Sequence, residues 1–222
     1  MKIKAKKSLG QNFLIDKNII KKIVEAGNIL PDSSILEIGA GTGNLTEYIL
    51  EKKPKKIFVI EKDEKLAETL KKKFDKKIDI INKDVLKVSE NLISQDKLIV
   101  YGNLPYNIST QILSKWITSD NKNNWYENYI LMFQKEVADR ILAHTNSKNY
   151  GRLSILSNWK LDVKKMLNIN ASCFVPKPKV ESTLLKFTPK KNYFKLKNSK
   201  NLETITRVFF NQRRKKIKKP LN

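Results

Sequence analysis

The stretch Ser34-Ile35-Leu36-Glu37-Ile38-Gly39-Ala40-Gly41-Thr42-Gly43-Asn44 decides the fold of this chain. Its first five residues predict a buried strand, and its glycines predict a tight turn. A helix is predicted from Asn44 onward, with Asn44 and Glu47 spaced like a capping pair. The run 57–60 predicts a second strand that ends in Glu61. This order of elements indicates a βαβ unit of the kind that binds a nucleoside.

The spacing of the glycines favours one kind of nucleoside ligand over another. A dinucleotide site carries Gly-x-Gly-x-x-Gly, but counting from Gly39 the third glycine would fall at position 44, which is Asn. The pattern here is Glu-x-Gly-x-Gly-x-Gly, from Glu37 to Gly43. It argues against NAD and favours S-adenosylmethionine, whose single sulfonium needs no pyrophosphate cradle. Gly39 and Gly41 would let the backbone approach this ligand, and Glu61 suits a bidentate bond to its ribose hydroxyls.

Two further strand ends carry candidate site residues. The run 78–81 predicts a third strand, and Asp84 follows it where a carboxylate could accept the adenine amino group of a bound nucleoside. An aspartate in a surface turn is an equally good interpretation of Asp84. The run 98–101 predicts a fourth strand, which leads into Asn103-Leu104-Pro105-Tyr106. Open α/β sheets place their ligands at the carboxyl ends of such strands.

The chemistry of the turn Asn103–Tyr106 suits an amine on a planar ring. Asn103 offers a neutral amide carbonyl. Pro105 stiffens the turn and biases Leu104 away from helical geometry, so that Leu104 can point its own carbonyl outward. Tyr106 offers a flat face for stacking. The alternative interpretation is a strand-ending turn with a packed tyrosine.

Three more strands are predicted near 129–133, 160–169 and 182–187, which brings the sheet to seven. Between the last two lies Phe174-Val175-Pro176-Lys177-Pro178-Lys179-Val180, in which two prolines predict a stiff, extended loop. An aromatic ring beside lysines suits base stacking together with phosphate contact. The alternative places Phe174 in the core.

Composition points to a polyanionic partner. The 222 residues carry a formal net charge of +23, and from Lys191 to Asn222 there are eleven basic residues and one acidic residue. Charge of this size and clustering favours nucleic acid, and the four lysines between positions 215 and 219 are expected to contact its phosphates. No apolar run approaches the roughly 20 residues of a membrane span, and no secretory signal is visible. With a single cysteine, the expectation is a cytoplasmic protein without a membrane anchor or a metal site.

The composition shifts after Pro189, so two regions are expected. Residues 1–189 would form the α/β domain that binds the nucleoside, and residues 190–222 would form a basic linker and the beginning of a small helical domain. Apolar spacing predicts a final helix over 202–211. The region after Pro189 has too few other elements to form a hydrophobic core with this helix, so the helix is expected to pack on the first domain.

The motifs of this chain together resemble the KsgA-type family of small-subunit ribosomal RNA adenine-N6 dimethyltransferases. The resemblance runs in order over essentially the whole chain and rests on the segments Lys7–Leu14, Glu37–Gly43, Asn103–Ser109, Leu131–Val137, Tyr150–Ser154, Phe174–Val180 and Phe210–Lys215. It implies an α/β, Rossmann-like class I S-adenosylmethionine-dependent fold with a seven-stranded mixed sheet. It also implies dimethylation of two adjacent adenosines in a hairpin loop near the 3′ end of small-subunit (16S) rRNA, in an immature 30S-type particle, by a monomer.

Roles can be carried over residue by residue from this resemblance. The residues that would contact the cofactor are Asn12, Leu14, Gly39, Glu61, Asp84 and Asn103. Asn103 and the Leu104 carbonyl would hold the two N6 protons of the target adenine, while Tyr106 and Phe174 would sandwich the extruded base.

The chain departs from the family pattern at one point. Family members continue past Gln212–Lys215 into a small helical domain, of which this chain has only the beginning, so it is either truncated or naturally short. Two alternatives stay open at this point. An Erm-type large-subunit (23S) rRNA methyltransferase would share the Asn-x-Pro-Tyr turn, although residues 212–215 point away from it, and a non-catalytic assembly factor could bind pre-ribosomal RNA through the same basic surface.

Overall fold

A mixed sheet of seven strands forms the centre of the computed structural model, within the residues it describes, 5–6, 10–119 and 125–211. The strands are β1 (Phe13–Leu14), β2 (Ser34–Ile38), β3 (Lys56–Ile60), β4 (Asp79–Ile81), β5 (Leu98–Gly102), β6 (Tyr126–Gln134), β7 (Leu161–Ile169), β8 (Phe174–Val175) and β9 (Ser182–Pro189). The sheet has the order β4-β3-β2-β5-β6-β9-β7, and β1 pairs with β8 in a separate two-stranded sheet. The predicted seven-stranded mixed sheet is confirmed.

Helices cover both faces of this sheet. They are α1 (Lys17–Ala26), α2 (Asn44–Glu51), α3 (Glu64–Phe74), α4 (Ser109–Thr118), α5 (Lys135–Leu142), α6 (Arg152–Lys160) and α7 (Ser199–Asn211). Helices α1 to α3 bury apolar residues such as Ile23, Ile49 and Leu70 in the core on one face. Helices α4 to α6 bury residues such as Trp116 and Ile141 on the other. The result is the three-layer arrangement expected of a βα-repeat sequence.

The order of the parallel strands fixes where a ligand can bind. Strand β2 pairs in parallel with β3 on one side and with β5 on the other, so the strand order reverses between β2 and β5. Ligands of open α/β sheets bind in the crevice outside such a reversal. Ile38 pairs with Gly102 at the carboxyl ends of these two strands, and Ile38 also pairs with Ile60 of β3. The turns that follow β2, β3 and β5 therefore begin side by side.

The start of α2 differs from the prediction. The N-cap is Gly43, whose φ of +77° lies in the left-handed region, and no side chain caps the helix. The Asn44 side chain instead donates to the carbonyl of Leu14 at 2.8 Å, and Glu47 forms an ion pair with Lys73 at 3.0 Å. The predicted capping pair is wrong because both side chains have longer-range partners.

The last helix packs on the sheet domain, as its composition predicts. The Ser199 hydroxyl donates to the carbonyl of Thr118, at the end of α4, at 2.8 Å, and Arg152 and Glu203 form an ion pair between α6 and α7. The domain division at residue 189 stays a prediction. The lysines expected to contact RNA between positions 215 and 219 lie outside the described residues. In the part of the chain that is described, no helix is long and apolar enough to cross a membrane.

Candidate active site

A cavity lies at the carboxyl ends of β2, β3, β4 and β5. Its walls are the turns that follow these strands and the arm that precedes α1. The predicted site residues that line it are Asn12, Leu14, Gly39, Gly41, Glu61, Asp84, Asn103, Leu104, Pro105 and Tyr106. The structure therefore brings together the predicted site residues from five separate segments, and leaves out Phe174.

The glycine turn presents bare backbone to this cavity. Gly39 has a φ of +68°, and a Cβ added there would meet no atom of the described residues within 4 Å. Gly41 has a φ of +59°, and an added Cβ would lie 2.9 Å from the ring of Phe13. A side chain at Gly41 would be strained by its backbone and blocked by Phe13, whereas one at Gly39 would occupy the cavity itself.

Glu61 places a fixed carboxylate at the end of β3. The residue is 6% exposed, and the backbone N–H groups of Gly41 and Asp63 donate to its two carboxylate oxygens at 3.0 and 2.9 Å. Burial raises the pKa of Glu61, and these two backbone hydrogen bonds oppose the rise. Each oxygen retains a lone pair, so the carboxylate can still accept a pair of hydroxyl groups.

Asp84 places a second carboxylate beyond β4. Lys62 Nζ lies 2.9 Å from its Oδ2, and the backbone N–H of Leu86 donates to its Oδ1 at 3.0 Å. The hydrogen bond from Lys62 is the main reason that the pKa of Asp84 is lowered. Asp84 is therefore an ionised acceptor on the cavity wall.

The arm before α1 orients the Asn103 amide. The Asn103 Nδ2 donates to the backbone carbonyl of Asn12 at 2.7 Å, which leaves the Oδ1 as the acceptor that is not held by this contact. The Leu104 side chain is buried, and no donor to its carbonyl is found among the described residues. The Pro105 carbonyl accepts from the N–H groups of Ile108 and Ser109 and so joins the turn to α4. Two neutral acceptors thus belong to one anchored turn.

Tyr106 is held at its hydroxyl end. Its OH lies 2.6 Å from Oγ of Ser182, a buried residue at the start of β9. Burial raises the pKa of Tyr106, and the contact with Ser182 opposes the rise. This hydrogen bond fixes the position of the Tyr106 ring on the cavity wall.

Phe174 lies elsewhere. The sequence suggests an exposed ring at the end of a loop, but Phe174 is in β8, pairs with Leu14 of β1 and is 2% exposed. The prediction that Phe174 lies in an exposed loop is wrong. The arm pairs with β8 as strand β1, and the Phe174 ring is buried in the core beside it. Its predicted role in base stacking stays a prediction.

Glu37 is a cavity residue to which sequence reasoning gave no role. It is 2% exposed, and the Thr46 hydroxyl donates to its Oε2 at 2.7 Å. Burial raises the pKa of Glu37 to about 7; the Thr46 hydrogen bond opposes the rise and the charge of Glu61 adds to it. The signal that could have found it is a carboxylate inside an otherwise apolar strand, two residues before the glycine turn.

A second feature that sequence reasoning missed is the anchor of the arm. Lys6 Nζ lies 2.8 Å from Oδ2 of Asp63, and the Gln11 side chain donates to the same oxygen at 3.2 Å. Burial would raise the pKa of Asp63, but the contacts with Lys6 and Gln11 outweigh it and the pKa is lowered. The arm is thus held at two places, by the contacts of Lys6 and Gln11 with Asp63 and by the pairing of β1 with β8.

The cavity has the features that S-adenosylmethionine requires. Gly39 leaves room at the strand end, Glu61 can accept ribose hydroxyls, and Asp84 can accept an exocyclic amine. Apolar side chains on the cavity wall come from Ile38, Leu66, Val85 and Ile108. Within the described residues, no group of three or more His, Cys, Asp or Glu side chains could hold a metal ion.

Comparison with known proteins agrees with this geometry. The family model for ribosomal RNA adenine dimethylase matches residues 2–222. The chain belongs to the ribosomal RNA adenine dimethylase family. The predicted resemblance is therefore confirmed, and the chain is an rRNA adenine methyltransferase.

Individual relatives of this dimethylase cover almost all of the chain. Ribosomal RNA small subunit methyltransferase A from Pelagibacter ubique is 63% identical over 222 residues, which are 100% of this chain and 84% of that protein. The protein of the same name from Rhodopseudomonas palustris is 38% identical over 224 residues, covering 99% of this chain and 77% of its own length.

Solved structures show the same fold. A dimethyladenosine transferase from Plasmodium falciparum superposes with a TM-score of 0.80 at 32% identity, covering 94% of this chain and 74% of that one. The 23S rRNA methyltransferase ErmE superposes with a TM-score of 0.72 at 23% identity, covering 95% of this chain and 83% of that one. The second likeness concerns the fold alone.

Proposed function

We propose that this dimethylase transfers methyl groups from S-adenosylmethionine to N6 of two adjacent adenosines near the 3′ end of small-subunit rRNA, in an immature particle. The observation that carries the proposal is the position of the turn Asn103–Tyr106. It begins beside the glycine turn, at the reversal of strand order, and offers neutral acceptors and an aromatic face to the same cavity. The small-subunit methyltransferases that are 63% and 38% identical to this chain over the aligned residues support the choice of RNA.

The half of the cavity formed by the glycine turn would hold the cofactor. S-adenosylmethionine supplies, when bound, a methyl group on a sulfonium, which needs neither a metal nor a covalent enzyme intermediate. Glu61 would accept both ribose hydroxyls, because two backbone N–H groups already orient its carboxylate. Asp84 would accept the adenine amino group, and Asn12 and Leu14 would close the cavity from the arm.

The half formed by Asn103–Tyr106 would hold the target base. The N6 lone pair of adenine is delocalised into the ring, so it must be directed at the methyl group. The Asn103 Oδ1 and the Leu104 carbonyl would accept the two N6 protons and fix that direction. Tyr106 would stack on the extruded base. The turn itself contains no carboxylate, so the proton would leave to solvent after the transfer.

The charge of the chain fits this substrate. A net charge of +23 attracts the RNA backbone and explains binding that does not depend on sequence. The lysines of the segment Phe174–Val180 and of the region after Lys190 would contact phosphates. We propose that the enzyme acts in the cytoplasm as a monomer.

Two arms of one experiment test the function. The chain is incubated with methyl-labelled S-adenosylmethionine and either immature small subunits or naked large-subunit rRNA, and the labelled nucleotides are mapped. We expect two adjacent dimethyladenosines near the 3′ end of small-subunit rRNA and none in the large-subunit RNA. Label confined to large-subunit RNA would favour an Erm-type activity, and binding of particles without any label would favour an assembly factor.

A further inference from the structure

A polar cluster lies behind the cavity and joins its two halves. Lys115 Nζ, from the middle of α4, donates to the carbonyls of Val85 and Val88 at 3.0 and 2.5 Å and to Oε1 of Glu90 at 2.8 Å. The indole N–H of Trp116 donates to the same Glu90 oxygen at 2.8 Å. Glu90 is only 5% exposed, so its charge is balanced inside the protein. One ammonium group therefore has three partners, and all three belong to the segment 85–90.

This segment has little other regular structure to hold it. It contains one short 3₁₀ turn, Val85–Lys87, and the first residue of a second, Glu90–Leu92; both turns lie between β4 and β5. Asp84 and Val85, at its start, line the cavity on the side expected to receive the cofactor adenine. Helix α4 begins at Ser109, directly after the turn that is expected to hold the target amine. Lys115 thus connects the element behind the amine to the segment that carries Asp84.

We propose that Lys115 is a positioning residue for the cofactor. Its ammonium fixes the Val85 carbonyl, and through it the Asp84 carboxylate and the apolar wall at Val85, at the place where the adenine of S-adenosylmethionine binds. The inference rests on the proposed function, which places that cofactor in this cavity. Lys115 itself does not line the cavity, so it acts through Asp84 and Val85.

The energetics of a partly buried ion pair favour placement over stability as the role of this cluster, since the Glu90 side chain is 6% and that of Lys115 31% exposed. A buried ion pair is often no more stabilising than well-packed apolar side chains of the same size. An apolar residue at 115 could fill the volume, but the Val88 carbonyl would lose the donor it has at 2.5 Å, and the Val85 carbonyl would keep only the N–H of Val88. The Val88 carbonyl would then turn toward water, and we expect the chain from Asp84 to Val88 to shift with it.

The principal test is Lys115→Met in the full chain. We expect its Kd for S-adenosylmethionine, measured by calorimetry without RNA, to rise about tenfold, as loss of a charge-assisted contact predicts. The kcat at saturating S-adenosylmethionine should stay close to that of the wild type. Bonds from Ile108 and Ser109 to the Pro105 carbonyl hold the amine turn independently of Lys115. Lys115→Arg keeps the charge and several donors, and should recover most of the affinity.

The matched control is Lys55→Met. It removes the same charge from a surface pair, in which Lys55 Nζ lies 2.7 Å from Asp96 just before β3, at the end of the sheet opposite the cavity. Its Kd for S-adenosylmethionine should equal that of the wild type. An equal weakening in both variants would mean that net charge, and not position, is responsible, and would overturn the proposal.

A double variant tests whether weaker binding by Lys115→Met results only from misfolding caused by an unpaired Glu90 charge. The double variant Lys115→Met with Glu90→Gln removes both charges and keeps an acceptor for Trp116, while the Val85 and Val88 carbonyls still lack the ammonium donor. It should fold, as judged by its Tm, and bind S-adenosylmethionine as weakly as Lys115→Met. Wild-type affinity in a folded double variant would overturn the proposal. If the wild-type chain itself binds no S-adenosylmethionine, the proposed function fails, which is a different outcome.

Discussion

The two halves of the cavity are held in different ways. In the cofactor half, the carboxylates of Glu61 and Asp84 accept from backbone N–H groups no more than 20 residues away, those of Gly41, Asp63 and Leu86. In the amine half, Asn103 is fixed by a carbonyl 91 residues away, and Tyr106 by a hydroxyl 76 residues away. The acceptors of the first half are charged and are held by residues close to them in sequence. Those of the second half are neutral and are held by residues distant in sequence.

The difference matches the role that is proposed for each half. Hydroxyl and amino groups of a cofactor bind strongly to a charged acceptor, so carboxylates serve affinity. The target amine must be turned so that its lone pair faces the methyl group, and neutral carbonyls can do this without a strong charge interaction. Substitutions in the amine half should therefore change the rate, and those in the cofactor half should change the affinity for S-adenosylmethionine.

The largest expected effect is on the rate. Asn103→Ala should lower kcat by about 10²–10³-fold, as for the loss of one preorganised polar contact, while RNA affinity should hardly change because it is dominated by phosphates. Single-turnover methylation of immature subunits separates the two quantities. Asn18→Ala, an exposed site on α1, is the control. A normal rate for Asn103→Ala, or a loss located entirely in RNA binding, would refute the amine clamp.

The next effect is on the cofactor. Glu61→Ala should weaken S-adenosylmethionine binding by about 1.5–3 kcal/mol, as expected for hydrogen bonds to a charged group. Glu25→Ala changes the net charge equally at an exposed site of α1 and should leave the affinity unchanged. Calorimetry on both variants makes the comparison, and equal affinities would remove Glu61 from the site.

A third prediction concerns pH. The pKa of Glu37 is raised to about 7 in the folded chain from an ordinary value of 4.5, so the folded state binds this proton more tightly than the unfolded state does. The contribution of Glu37 to the free energy of unfolding therefore falls as pH rises through this range. Relative to the wild type, the free energy of unfolding of Glu37→Gln should rise by about 2–3 kcal/mol between pH 5 and pH 8. Urea unfolding at both pH values measures it, and parallel behaviour of the two chains would contradict the raised pKa.

The smallest effect is expected at the stacking ring. Tyr106→Phe keeps the flat face and loses only the contact with Ser182, worth about 0.5–1.5 kcal/mol as a neutral hydrogen bond. Methyl transfer should fall less than about tenfold, and Tyr106→Ala should lose far more because it removes the ring. Equal losses in the two variants would show that the hydroxyl, and not the face, matters for the reaction.

Much of this fold could be predicted from the sequence because its signals are local. Strand β2 has the predicted bounds, since a buried run followed by glycines can hardly form another element. The cavity residues could also be predicted, because parallel strands bring Gly39, Glu61, Asp84 and Asn103 to one edge of the sheet.

The remainder depended on contacts between distant segments. Pairing of β1 with β8 buries Phe174, and no local pattern distinguishes that ring from an exposed one. The carbonyl of Asn12 holds Asn103 through the backbone, for which side-chain chemistry gives no signal. The sequence around Lys115 is typical of a helix and that around Glu90 of a loop. Neither pattern indicates that the two side chains are in contact, which only the structure shows.

The proposed clamp has a consequence for how the reaction stops. An unmodified N6 carries two protons, one for each carbonyl of Asn103 and Leu104. After one methylation a single proton remains, and after two there is none. If the turn acts as this clamp, it would bind the monomethylated base more strongly than the dimethylated one, and no further part of the protein would be needed to count methyl groups. The second methylation would remove the last donor, and the base would then keep its stacking contact with Tyr106 but no hydrogen bond to the turn.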